Sequence, residues 1–125
     1  MRAVVIAKHG GPDVLTVEGR PEPAPGPGQV RVDVRAAGVN FADTLARVGL
    51  YADAPKPPCV VGYEVAGTIA AVGEGVDAAR VGERVMAGTS FGGYASQVVV
   101  GEGDAVPLPE RLSFEEGAAV PVVYA

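Results

Sequence analysis

Between Asn40 and Glu64 the chain gathers an amide, two carboxylates and a phenol, in Asn40, Asp43, Tyr51 and Glu64. Such a set can orient a polar substrate and hand it a proton. Tyr51 carries the clearest chemistry: a phenol of ordinary pKa near 10 can donate a hydrogen bond to an oxygen on which negative charge is building. Each of these residues also has a plainer role. Asn followed by an acid three residues later is what a helix start favours, so Asn40 and Asp43 are equally well placed as a cap. Tyr51 can pin a proline-rich loop, and Glu64 can make a structural hydrogen bond at the start of a strand. Cys59, between Pro58 and Val60, reads as a buried packing thiol because no cation or helix start lies beside it. Arg47 reads as a loop clamp and His9, beside two glycines, as a surface turn residue.

The elements that would position this set are short strands. Arg2 to Ala7 and Val14 to Glu18 predict an opening hairpin around Gly10, Gly11, Pro12 and Asp13. Pro21, Pro23, Pro25 and Pro27 lock φ and remove amide donors, which makes a stiff connector within the domain. Val30, Val32 and Val34 alternate with Arg31, Asp33 and Arg35, the pattern of a half-buried strand. A helix over Asn40 to Val48 follows from the Asn40 cap and from Phe41, Leu45 and Val48 at helical spacing, with Gly49 as its stop. Further strands are expected at Tyr63 to Val72, Gly82 to Ala87 and Tyr94 to Val100. Gly67 marks a bulge or a close backbone contact. Ser113 with Glu116 forms a capping box for a second helix over Glu115 to Ala119. Six or seven strands with two short helices make the fold mainly β.

The 18 glycines and 11 prolines amount to about a quarter of the chain against roughly 12% in average proteins, while hydrophobic residues reach 48%. That mixture predicts many turns around a real core, and 125 residues suffice for one domain. A net charge of −5, with ten scattered basic residues, argues against nucleic acid or an anionic membrane as partner. The first apolar run stops at Lys8, and no segment approaches the ~20 apolar residues of a membrane span, so a cytoplasmic protein is expected. One cysteine permits no intrachain disulfide. Gly73, Gly75, Gly88, Gly92 and Gly93 open no helix after a buried strand, so the chain carries no dinucleotide fingerprint of its own.

The runs AGVNFAD and GYEVAG, with Arg47, Gly49 and Tyr51 between them, resemble the catalytic domain of the medium-chain dehydrogenase/reductase superfamily, on its zinc-free quinone oxidoreductase branch. NFADTLARVGLY is most similar to the VAT-1-like subgroup. The resemblance extends over MRAVVIAKHGGPDVL, QVRVDVRAAGVN, VGEGVDAARVGERV and LPERLSFEEGAAVPVVYA, essentially the whole of residues 1–125. It implies a GroES-like, partly open β-barrel that packs against a Rossmann domain absent from this chain, with residues 120–125 leading toward that domain and NADPH held in the cleft between the two. Tyr124 and Ala125 offer no cap, charge or polar tail, so this end is expected to be cut or covered.

Zinc-dependent relatives place a cysteine where this chain has Asn40 and a histidine where it has Tyr63, so the resemblance implies no metal. It implies hydride transfer from the nicotinamide to a quinone or activated alkene. Tyr51, Asn40 and Asp43 would then be catalytic. Asn40, Phe41, Val123 and Tyr124 would face the cofactor, and Tyr51, Tyr63 and Glu64 the substrate. The isolated chain is expected to be inactive and to bind NADPH weakly, and a homo-oligomer is compatible with the pattern. Two other expectations stay open: a non-catalytic binding module, suggested by the apolar stretch Val120 to Ala125, and an enoyl thioester reductase.

Overall fold

The computed structural model describes residues 1–120. Seven strands form two sheets. β1 (Arg2–Ile6) and β2 (Leu15–Gly19) pair antiparallel as a hairpin. The other sheet has the order β6-β3-β4-β5-β7, all antiparallel, from β3 (Gln29–Ala37), β4 (Glu64–Val72), β5 (Arg84–Gly88), β6 (Gln97–Gly101) and β7 (Ala105–Pro107). The hairpin makes single bridges to residues outside the named strands, Ala3 to Ala95 and Ile6 to Cys59. The result is the expected partly open β-barrel, closed by a hairpin that never joins the main ladder.

The alternation in β3 has the predicted consequence. Val30 and Val32 are fully buried and pack with Val65, Ile69, Val85, Val98 and Val100. A second cluster, Ile6, Val14, Ala46, Cys59 and Val61, lies under the hairpin and the first helix. Gly67 marks the expected close contact: a Cβ there would run into the Asp33 carbonyl. The register shift beside it falls on β3, between Val34 and Ala36, opposite Gly67 and Ala66. The proline connector is tied down by Glu22, which pairs with Arg31 at 3.2 Å and accepts from Gln97 at 2.9 Å.

α2 (Phe114–Ala118) begins at the predicted capping box, with Glu116 N donating to Ser113 Oγ at 3.1 Å and Ser113 N to Glu116 Oε1 at 2.9 Å. It covers β3, β4 and β5, and its Phe114 ring lies between the guanidinium groups of Arg35 and Arg84. α1 (Phe41–Val48) ends at Gly49, whose φ of 87° closes the helix as a left-handed cap.

Three expectations are corrected. Val14 closes a short 3-10 turn, so β2 starts one residue later. β5 starts at Arg84 because Gly82, at φ 92°, still belongs to the preceding turn. β6 starts at Gln97, since residues 94–96 bond to several different segments: Tyr94 N to the Val61 carbonyl, Val4 N to the Tyr94 carbonyl and Val34 N to the Ser96 carbonyl. The inner face of α1 is not the one its apolar spacing marks. Phe41 is 77% exposed and Val48 is exposed, while Asp43 and Ala46 point inward.

Candidate functional site

The inward turn of Asp43 organises the site. Its Oδ2 accepts the backbone N–H of Asn40 at 3.0 Å, one half of a capping arrangement at the start of α1. The carboxylate is only 5% exposed, and its Oδ1 has no hydrogen-bond partner among the described residues. The side-chain amide of Asn40 reaches across to β4, Nδ2 donating to Glu64 Oε1 at 3.1 Å. Glu64 is itself 1% exposed. Gly38 makes that approach possible, because a Cβ at 38 would collide with the Glu64 side chain, and Gly38 N also bonds to the Glu64 carbonyl. Asn40, Asp43 and Glu64 are therefore both a helix cap and a connected polar cluster between α1 and β4.

Tyr94 is the member that sequence reasoning missed. Its hydroxyl donates to the same Asp43 Oδ2 at 2.5 Å, a short charge-assisted bond. Burial, then the bond to Asp43 and that residue's charge, push the Tyr94 phenol well above the ordinary tyrosine range. The only local signal is an aromatic residue directly after Gly92 and Gly93, where the strand pattern does not distinguish it. Tyr94 lines two adjoining depressions. One, of about 550 Å³, runs along Ala3, Val17, Ala37 and Val39. The other, of about 200 Å³, is shared with Asp43, Thr44 and Arg47.

Tyr51 and Tyr63 form an edge-on pair, ring centroids 6.4 Å apart, and Phe91 lies tilted against Tyr63 at 5.1 Å. Burial first, then the neighbouring Tyr51 phenol and more weakly the charge of Asp43, hold the Tyr63 phenol above its usual range. No hydrogen bond joins Tyr51 to Asn40 or Asp43 among the described residues. Phe91 has φ 70°, a conformation rare for a bulky residue. Phe41, Val39 and Leu50 are exposed apolar side chains at the two ends of α1, 75–77% accessible. Val123 and Tyr124 lie outside the described residues.

Cys59 is buried and its thiol is raised by that burial, as a packing residue requires. Arg47 is the expected clamp, its Nε donating to the Gly10 carbonyl at 3.2 Å while Gly10 N bonds to the Arg47 carbonyl. His9 is exposed, with its ring against Gly49. Among the described residues no three His, Cys, Asp or Glu side chains gather as a metal site would need, and no helix is long and apolar enough to cross a membrane.

Residues 26–110 match the alcohol dehydrogenase GroES-like domain. The chain belongs to that family. It is 44% identical over 126 residues to the synaptic vesicle membrane protein VAT-1 homolog of Rattus norvegicus, covering 99% of this chain and 31% of that protein. It is 41% identical to the quinone oxidoreductase of the same species, covering 99% of this chain and 38% of the relative. Among solved structures, a human VAT-1 homolog-like protein superposes with a TM-score of 0.93 at 36% identity, over 98% of this chain and 40% of that one. The Escherichia coli quinone oxidoreductase, solved in complex with NADPH, superposes at 0.87 and 36% identity over 96% and 37%. This GroES-like chain thus spans about a third of the length of the curated relatives it matches.

Proposed function

We propose that this chain is the substrate-side catalytic domain of a zinc-independent quinone oxidoreductase, which works with a nucleotide-binding domain of the same or a companion chain. The observation that carries the reading is the Asn40–Asp43–Glu64–Tyr94 cluster, with both carboxylates buried, next along the chain to the exposed apolar residues Val39 and Phe41. Likeness to quinone oxidoreductases, one of them solved with NADPH, supports it.

These residues suit a nicotinamide: its ring is flat and largely apolar, and its carboxamide needs fixed polar partners such as Asn40 can supply. When bound, the nicotinamide supplies a hydride. Phe41 and Asn40 hold and orient the ring's surroundings. Glu64 fixes the Asn40 amide plane, so its polar atoms are aimed before substrate arrives. Tyr51, braced edge-on against Tyr63, donates a hydrogen bond to the quinone oxygen that accumulates charge and stands ready to give up its proton. The zinc-independent reading is supported by Asn40 and Tyr63, an amide and a phenol that offer hydrogen bonds where zinc-dependent relatives have metal ligands. A cytoplasmic setting agrees with the free buried thiol of Cys59.

The test is NADPH oxidation with a panel of quinones and enones by the protein that contains this domain together with its nucleotide-binding partner. Tyr51→Phe is expected to lower kcat about a hundredfold, as removal of a proton donor does. Absence of turnover with every quinone and enone would refute the reading. Calorimetry on the 125 residues alone is expected to detect no tight NADPH binding, because one half of a cleft contributes only part of the contacts.

A further inference from the structure

We propose that Tyr94 is a positioning residue for the reacting corner: its hydroxyl, acting through Asp43, fixes the start of α1 and with it the amide of Asn40. The proposal rests on the reductase reading for its catalytic consequence, but the geometry that carries it does not. Three bonds run in series. Tyr94 donates its O–H to Asp43 Oδ2 at 2.5 Å, the same oxygen accepts Asn40 N–H at 3.0 Å, and Asn40 Nδ2 donates to Glu64 Oε1 at 3.1 Å.

A capping acid alone does not account for this arrangement. Carboxylates at the third helical position normally sit at the surface, where water satisfies their remaining lone pairs. Asp43 is 5% exposed, with Oδ1 unpartnered among the described residues, and a buried carboxylate is costly unless it is well bonded. Tyr94 offsets that cost with a strong donor. It also comes from a different part of the molecule, 51 residues along the chain. Its backbone is held on both sides, N–H to the Val61 carbonyl at 3.0 Å and carbonyl from Val4 N at 2.8 Å. The phenol therefore reaches Asp43 from a rigid support and ties α1 to the hairpin side of the barrel. Glu64 ties the same Asn40 to β4. Asn40 is thus held at its backbone N–H through Asp43 and at its side-chain Nδ2 by Glu64, and a residue fixed at both points presents its amide in one orientation, which is what a hydrogen-bonding group beside a reacting ring requires.

Two measurements test this. In the 125-residue chain, NMR is expected to show a Tyr94 hydroxyl proton protected from exchange and a distinct, slowly exchanging Asn40 side-chain NH₂. Tyr94→Phe keeps the ring and removes only the hydroxyl. It should leave the fold intact by circular dichroism while exchange of the Asn40 amide accelerates about tenfold or more. In the protein that carries the nucleotide-binding domain, Tyr94→Phe should lower kcat about tenfold with KM for quinone nearly unchanged, and should have no further effect in an Asn40→Ala background. An Asn40 amide that is indifferent to Tyr94→Phe, or effects of the two substitutions that simply multiply, would overturn the proposal. Should Tyr94→Phe fail to fold, the hydroxyl proton of the unsubstituted chain decides: exchange at the rate of a free tyrosine refutes the brace. If the longer protein reduces no quinone, the reductase reading fails by itself, and the amide measurement still settles the role of Tyr94.

Discussion

In the valine-lined core of the main sheet burial is apolar: Val30, Val32, Val65, Ile69 and Val85 are 0–1% exposed, and none of these side chains needs a hydrogen bond. At the start of α1 burial is of the opposite kind, with two carboxylates at 5% and 1% exposure held by an amide and a phenol. The first arrangement stabilises the barrel through area removed from water, roughly 1.5–3 kcal/mol for each fully buried aliphatic side chain. The second gains little net stability, since desolvating a carboxylate cancels much of what its bonds return. Its yield is orientation. Truncation should separate the two. Ile69→Ala empties space in the valine-lined core and is expected to cost about 2–5 kcal/mol in denaturant unfolding. The protection of the Asn40 side-chain amide in the folded fraction should stay as it was. Loss of both together would mean that the two regions are one cooperative structure.

The two regions also differ in how far they could be read from residue order. Alternating valines in β3 and the Ser113–Glu116 box point to their structures directly, because pleat and cap are local rules and every residue involved lies within a few positions. Asn40 and Asp43 were legible as a cap for the same reason. The contacts that turn this cap into a site are not local: Glu64 lies 24 residues away and Tyr94 51. Nothing in spacing predicts those distances. The spacing of Phe41, Leu45 and Val48 locates α1 but does not say which face is buried, although such a stripe normally marks the core. Here Asp43 takes the inner position and Phe41 the outer, which is the reverse of a stability-driven choice.

Alkali offers a second way to distinguish the regions, with a smaller effect. The valine-lined core has no titratable group, whereas Tyr94 and Tyr63 both hold their protons to a pH above the ordinary tyrosine value, first through burial and then through their partners. Above about pH 10 the unfolded chain sheds phenol protons that the folded chain keeps, so unfolding becomes more favourable. Stability contributed by the two phenols is therefore fully present below about pH 10 and declines as pH rises beyond it. Denaturant midpoints followed from neutral pH into alkali should fall, and the fall should be shallower in Tyr94→Phe than in the unsubstituted chain. Equal slopes would show that Tyr94 ionises in the folded state as freely as in water, and would weaken the polar corner as a distinct unit.

The smallest effect on stability is expected where exposure is greatest. Phe41 is 77% accessible and contributes little to the folded chain by itself, so Phe41→Ser should shift the denaturant midpoint by no more than about 0.5 kcal/mol equivalent. A solvated phenylalanine contributes little to stability within the described residues, and on the proposed reading its role is to be covered when the cofactor binds. In the protein that carries the nucleotide-binding domain, the same substitution should weaken NADPH binding severalfold, because an apolar side chain buried only on binding contributes there and nowhere else. The contrast with Ile69→Ala is then complete in both directions, one substitution removing stability without touching the amide of Asn40 and the other removing binding without touching stability. A large loss of stability from Phe41→Ser would instead make the edge of α1 part of the barrel's own core, and would take from the polar corner the apolar wall on which its chemistry depends.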